Sequence, residues 1–202
     1  MKNMLIFLAL LVALLPLGAV YHKIGGYATP LDAQAVVVQN GIAYLEEGIT
    51  NQLNYSILQT LDISDPSNLL PLGSLNIPLG AYASYSGIDL GVENGIAYIA
   101  LNDAPYSLKI VDVSDPLNPT YLSNIWANSM DVCVVDSLAY VAADAYGLRI
   151  YDISDPLDIV LLGSLDTPGN VKEVTFFHLP LPPASDPGSS GSDSGGEGLS
   201  FF

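Results

Sequence analysis

Few side chains in this sequence are equipped for chemistry. The 202 residues hold two histidines, one cysteine and one tryptophan, with 21 Asp plus Glu against five Lys plus Arg, for a formal net charge of −16. His22 and His178 stand far apart, so neither a catalytic triad nor a His-rich metal cage is expected. A single cysteine, Cys133, excludes an intramolecular disulfide and a Cys-based zinc site. What remains is carboxylate chemistry. Glu46, Glu47, Asp89, Asp103, Asp131 and Asp144 flank apolar segments at recurring places. Six carboxylates gathered on one rim would offer the hard oxygen ligands that Ca²⁺ takes. The competing reading is a solvated acidic face, since no EF-hand or D-x-D-x-D-G loop is present. Ca²⁺ is therefore the one metal to consider, and no other cofactor is expected.

A second carboxylate set reads differently. Asp62, Asp112 and Asp152 sit at the same place in three copies of one motif: Asp62-Ile63-Ser64-Asp65-Pro66, Asp112-Val113-Ser114-Asp115-Pro116 and Asp152-Ile153-Ser154-Asp155-Pro156. Identical placement in every copy favours a turn-capping role, with backbone N–H groups donating to the carboxylate, over paired catalytic carboxylates. Tyr44, Tyr98 and Tyr140 recur upstream of the three blocks and read as core or inter-sheet packing. Trp126 is assigned to strand packing, ahead of a partner-anchoring role. Cys133 reads as a buried small hydrophobe without the basic neighbour a reactive thiol needs. His178, beside a proline segment, is given no chemical role. Asn54-Tyr55-Ser56 is a glycosylation sequon, relevant only in a eukaryotic secretory host.

Composition narrows the partners. The acidic balance argues against nucleic acid and against anionic lipid. Met1-Lys2, the apolar run from Asn3 to Leu15, and Pro16-Leu17-Gly18-Ala19 together read as a signal peptide over 1–19, cut after Ala19; an uncleaved N-terminal anchor ranks second. No membrane span is expected once that segment is removed. Residues 179–202 read as a disordered tail: Leu179-Pro180-Leu181-Pro182-Pro183, then Ser, Gly, Asp, Glu and Pro to Gly198, ending on Leu199-Ser200-Phe201-Phe202. That apolar end is either a frayed terminus or the start of a sorting segment.

Between them, residues 20–178 repeat in units of about 35–80, 81–130 and 131–170. Each unit reads as four strands, lettered a to d in chain order. Asn40-Gly41 and Asn94-Gly95 are two-residue hairpin turns that demand positive φ at both positions, and Asp136-Ser137 is a weaker version. Strand c is apolar on both pleat faces, as in Leu148, Ile150, Tyr151 and Ile153. A sheet with one wet face would alternate. Four-stranded units of 40 to 50 residues covered on both sides predict an all-β fold of radially stacked blades, a β-propeller, with a β-sandwich as the alternative.

The motifs resemble those of the LVIVD-repeat proteins of bacterial cell surfaces. Ala139-Tyr140-Val141-Ala142, then Gly147-Leu148-Arg149-Ile150-Tyr151-Asp152-Ile153-Ser154-Asp155-Pro156 and Thr167-Pro168-Gly169, follow that pattern, as does Leu108-Lys109-Ile110-Val111-Asp112-Val113-Ser114-Asp115-Pro116. The first unit departs from it at Leu58-Gln59-Thr60-Leu61. The resemblance spans roughly Ile24 to Phe177. It implies a propeller exported to the periplasm, cell surface or medium, with no catalytic residues to carry over.

Three units are few for a ring. Ile24 to Pro30 looks like a lone strand d, and Val171 to Phe177 like a lone strand a. A homodimer sharing one ring, a strained small ring, and a truncated gene product all stay open at this stage. The expected function is a non-enzymatic binding or scaffold surface for a protein or glycan. The alternatives are a metal-dependent hydrolase or lactonase, and a carbohydrate-binding propeller.

Overall fold

The computed structural model of the chain describes residues 23–48, 55–79, 89–101, 107–178 and 197–201. The leader 1–19, Asn54, Asp103 and most of the tail lie outside the described residues. Among the described residues every regular element is a strand, and no helix is long and apolar enough to cross a membrane.

Three four-stranded antiparallel sheets follow one another along the chain. The first holds β1 (Asp32–Gln39), β2 (Ile42–Gly48), β3 (Tyr55–Asp62) and β4 (Leu70–Pro78). The second holds β5 (Asp89–Glu93), β6 (Ile96–Leu101), β7 (Ser107–Asp112) and β8 (Thr120–Trp126). The third holds β9 (Asp131–Val135), β10 (Leu138–Ala142), β11 (Leu148–Asp152) and β12 (Val160–Leu165). Strands pair only with their sequence neighbours in each sheet. The first strands then pack on one another in order, β1 on β5, β5 on β9, and β9 on β13 (Val174–His178). That succession around one axis makes the sheets blades.

The hairpin turns explain why each blade starts as it does. Asn40 and Gly41 have φ of 52° and 78°, and Asn94 and Gly95 have 50° and 77°. These left-handed angles give a turn whose twist matches the flanking strands. Asp136 and Ser137 adopt the same turn at 51° and 61° without a glycine. In every blade the backbone then ties the turn to the far end of strand c: Ile63 N donates to Gly41 O at 2.9 Å, Val113 N to Gly95 O at 2.8 Å, and Ile153 N to Ser137 O at 2.9 Å. A one-residue register shift also recurs between strands c and d, at Thr60/Leu61, Ile110/Val111 and Ile150/Tyr151. A bulge at one place in all three blades bends each outer strand alike.

The second blade is buried on both faces. In β6, Ala97, Ile99 and Leu101 join the cluster shared with Tyr44, Leu58 and Ile77 of the first blade. The intervening Tyr98 and Ala100 join the cluster shared with Val132, Ala139 and Tyr151 of the third. A two-layer sandwich would cover one face of each sheet, so the radial arrangement holds.

Two details depart from the sequence reading. Residues 197–201, within the span read as disordered tail, form β14 (Glu197–Phe201), paired antiparallel with β13. An inner strand with an open edge presents unpaired N–H and C=O groups, and the terminal segment satisfies them. Trp126, assigned to strand packing, is 73% exposed at the end of β8. At the last position of an outer strand there is no neighbouring blade for the indole to meet.

The third turn supplies a stability test. Ser137→Gly removes the side chain from a left-handed position while keeping both of its backbone hydrogen bonds, and a non-Gly residue there costs about 1–2 kcal/mol. The variant is expected to raise unfolding free energy by roughly 1 kcal/mol, read as a higher urea midpoint at unchanged slope.

Candidate functional site

The S-D-P turns take all twelve repeated residues into one construction. Asp62 Oδ1 accepts from Ser64 N (2.8 Å) and Ser64 Oγ (2.6 Å), and Asp112 Oδ1 from Ser114 N (2.9 Å) and Ser114 Oγ (2.6 Å). Asp152 Oδ1 accepts from Ser154 N at 2.9 Å. The second aspartate caps the next step: Asp65 accepts from Ser67 N, Asp115 from Leu117 N and Asp155 from Leu157 N, with Pro66, Pro116 and Pro156 between. The serine hydrogen bonds hold Asp62, Asp112 and Asp152 below the usual carboxylate range.

The other candidates lie on the opposite face, where b–c loops and d–a connections run. Asp89 and Asp131 begin β5 and β9 at equivalent register, opposite Ala100 and Ala142. They meet: a hydrogen bond joins the two carboxyl groups. Each also reaches one blade further on. Val132 N donates to Asp89 Oδ2 at 3.4 Å, and Val174 N donates to Asp131 Oδ2 at 2.6 Å. Inner strands have no sheet partner on their axial side, so these carboxylates capture N–H groups that would otherwise be orphaned. Burial, then the hydrogen bond and charge of Asp131, pushes Asp89 up to about 8. The Asp89 carboxyl therefore holds its proton well above the ordinary carboxylate range.

The first blade uses the same position differently. Ala35 stands where Asp89 and Asp131 stand, and Glu46, its cross-strand partner, stands where Ala100 and Ala142 stand. The carboxylate has moved one strand outward while staying on the face toward the second blade, beside Leu58. Glu46 is fully buried there. Lys109, also buried, enters the same interface from β7, on the face it shares with its partner Ile99. Sequence reasoning missed Lys109; its signal is a lysine inside the apolar strand Leu108 to Val113.

Glu47 points to the other face of the first blade, where its Oε2 accepts from Leu31 N at 3.1 Å. Burial raises its pKa, and the Leu31 hydrogen bond lowers it by less. Asp144 sits in the third b–c loop with φ of 48° and is tied by backbone bonds to Val171. The structure therefore brings Asp89 and Asp131 together and gives Glu47 and Asp144 separate local partners; Asp103 lies outside the described residues. Among the described residues no three His, Cys, Asp or Glu are grouped to hold a metal ion.

Three further residues fall around this frame. Tyr98 Oη donates to Ile153 O of the third blade at 3.4 Å, and Tyr140 stacks on Phe176 with ring centroids 6.5 Å apart. Cys133, read as a buried hydrophobe, is half-buried against the start of the fourth sheet, which covers it only in part. Burial, with the charges of Asp131 and Asp89 adding, raises its thiol pKa.

A family model described as LVIVD repeat matches residues 88–125 and 127–167. The matched spans coincide with the second and third blades. The first blade has the same strand order, turn geometry and bulge, although the matched model does not extend to it. The crystal structure of the computationally designed Ika4 protein is similar, with a TM-score of 0.51 at 11% identity, covering 91% of this chain and 99% of that one. The computationally designed Ika8 protein aligns with a TM-score of 0.50 at 12% identity, over 74% of this chain and 41% of that one. These likenesses concern the fold alone. No curated protein matches the chain.

The proton held on Asp89 has a thermodynamic consequence. The folded chain keeps it on Asp89 between the ordinary carboxylate value of 3.8 and about 8, whereas the unfolded chain releases it. Stability must fall as pH rises through that window, by up to about 1.4 kcal/mol per pH unit for one proton. Glu47, also raised, acts in the same direction, while the lowered turn aspartates lose their contribution as pH falls below their ordinary values. Thermal melts are expected to peak near the acid end of the window and decline toward pH 8, and Asp89→Asn is expected to flatten that decline. A melting temperature that climbs from pH 5 to 8 would contradict the assignment.

Proposed function

We propose that the protein is a non-enzymatic, exported recognition module whose LVIVD blades hold a binding face at the cell exterior. The observation that carries this reading is the pair of exposed aromatic groups on the b–c and d–a face. Trp126 stands 73% exposed at the end of β8, and Tyr146 is 53% exposed in the b–c loop of the adjacent third blade. The Arg149 guanidinium lies over the Tyr146 ring, 5.0 Å from its centroid. Flat apolar surfaces beside a cation suit either the face of a sugar ring or a peptide side chain. Rigid blades keep such groups at fixed spacing without ordering cost on binding. The leader-like segment 1–19 and the LVIVD likeness support export.

The axial carboxylates favour this reading over hydrolysis. Asp89 and Asp131 each spend an oxygen on a backbone N–H of the next inner strand. A group committed to holding two blades together is poorly free to activate water. The metal-dependent hydrolase or lactonase remains the rival, and it requires Ca²⁺ or another cation to raise thermal stability at micromolar concentration.

Trp126 is the sole tryptophan, so its fluorescence reports directly on this face. Screening the full chain against a glycan array and a panel of envelope-derived peptides is expected to give a hit that shifts Trp126 emission. Trp126→Ala is expected to weaken that hit at least tenfold while leaving the melting temperature within a few degrees, because the exposed indole contributes little packing. Binding unaffected by Trp126→Ala and by Tyr146→Ala would move the site elsewhere. Ester or lactone turnover abolished by Asp131→Asn would replace the proposal with the enzymatic one.

A further inference from the structure

We infer that two copies of this chain close one ring, each chain's β13 taking the other's first blade as its next neighbour, so that the sheet between them is built from both chains. The interface between consecutive blades is complete where β1 meets β5 and β5 meets β9, and the chain leaves two matching halves of it open.

Equivalent positions can be read from the carboxylate bonds. Asp89 captures Val132 N, and Asp131 captures Val174 N, so Val174 of β13 is the counterpart of Val132 of β9. By cross-strand register the counterpart in β1 is Val36, opposite Leu45 as Val132 is opposite Val141. Val38 likewise corresponds to Val92 and Val134. In the second and third blades these residues face the preceding blade and join the core clusters: Leu90 and Val92 in one, Val132 and Val134 in the other. In the first blade Val36 and Val38 are both 45% exposed. The other half of the same interface is open on β13. Glu173 holds the register place of Asp89 and Asp131, Thr175 that of Gly91 and Cys133, and both are exposed. Among the described residues no packing like that of β9 on β13 joins β13 to β1. One chain therefore carries both halves of a seam and does not bring them together.

The N-terminal segment identifies the missing outer strand. In the complete interface, a Cβ on Gly73 of β4 would lie 2.6 Å from the carbonyl oxygens of Pro116 and Leu117 in the next blade's S-D-P turn. A Cβ on Gly25 would lie 2.0 Å from Pro66 O, in the first blade's turn. Gly25 thus sits on the first blade as Gly73 sits on the second, which places residues 24–27 as the outer strand of whatever blade precedes the first. Tyr27 packs there against Ala43, Leu45 and Leu61. Among the described residues the blade begun by β13 and β14 lacks that outer strand, while the first blade already carries a segment placed to belong to a preceding blade. A second copy supplies both needs and continues an interface this chain makes twice. Its first blade covers Thr175, the Val36 and Val38 side chains are buried, and the Glu173 carboxylate meets Val36 N of the other copy. Two chains, each with three full blades and one shared, make an eight-bladed ring, within the range propellers adopt. Two equivalent head-to-tail seams close it.

Light scattering on the full chain is expected to give twice the 21.3 kDa chain mass at micromolar concentration. Val36→Asp with Val38→Asp is expected to yield a monomer that keeps its β-sheet circular dichroism. Glu173→Gln is expected to weaken the dimer about tenfold, and Leu157→Ser, at an exposed turn away from the seam, to leave it intact. The register is tested separately with Val38→Cys and Thr175→Cys in a Cys133→Ser background, the pair that matches Val134 and Gly91, whose would-be Cβ lies 2.8 Å from Val134 Cγ2. Oxidation is expected to give a covalent dimer on a denaturing gel, and it reports on the seam even where the aspartate variant fails to fold. A monomeric wild type at 100 µM, open-ended polymers, a dimer indifferent to the aspartate pair, or a disulfide formed within one chain would each overturn the inference.

Discussion

The fold depends on how the sheets meet. Each blade is too thin to hold a core of its own, and its central strands are apolar on both pleat faces, so it is stable only between two others. Apolar contact supplies the attraction, yet it has no direction and would allow one blade to slide along the next. The carboxylates at the starts of β5 and β9 remove that freedom. Each binds one specific N–H of the following inner strand, fixing the stagger of the stack at its axis. On the opposite face Gln39 Nε2 donates to Val92 O at 3.3 Å, and Ser137 N donates to Glu93 Oε2 at 3.0 Å, again across consecutive blades. Polar bonds at both rims and an apolar layer between them define the seam.

This division of labour changes the meaning of the acidic composition. An excess of acids over bases invites a search for a cation. In the structure the acids divide by task. Those of the S-D-P turns accept from local N–H groups, and the serine hydrogen bonds keep Asp62, Asp112 and Asp152 ionised. At the axis Asp89, half-buried and crowded by Asp131, keeps a proton. The aromatic side chains of Trp126 and Tyr146 stand outside both sets, exposed to solvent.

The sequence was most readable where local chemistry alone decides the conformation. Asn-Gly pairs and S-D-P blocks dictate their turns, and strands apolar on both faces require covers on both sides, so blade order and topology could be inferred before any coordinates. Asp89 and Asp131 could be flagged as carboxylates at strand starts, but their meeting could not, because it depends on the stagger between blades. The exchange of Ala35 and Glu46 for Asp89 and Ala100 was hidden for a related reason: the acid changes strand, and only the cross-strand register shows that its position in space is kept. Trp126 misled because outer strands elsewhere in the repeat carry packed residues such as Leu75 and Ile125, and only the structure reveals that the last residue of β8 projects past the neighbour. The pairing of β14 with β13 had no local signal, since an open strand edge attracts whatever extended segment can reach it.

Native-state hydrogen exchange on the inner strands tests the central claim most directly. Val132 and Val174 present their N–H groups toward the axis, away from any sheet partner, where an ordinary strand edge would exchange rapidly. If the carboxylates hold the seams, these two amides exchange only by global or whole-blade opening and are as slow as the amides paired within the second blade. Exchange of Val132 and Val174 at the rate of an open edge, while the intra-sheet amides stay protected, would show that the blades are not locked at the axis and would contradict the account.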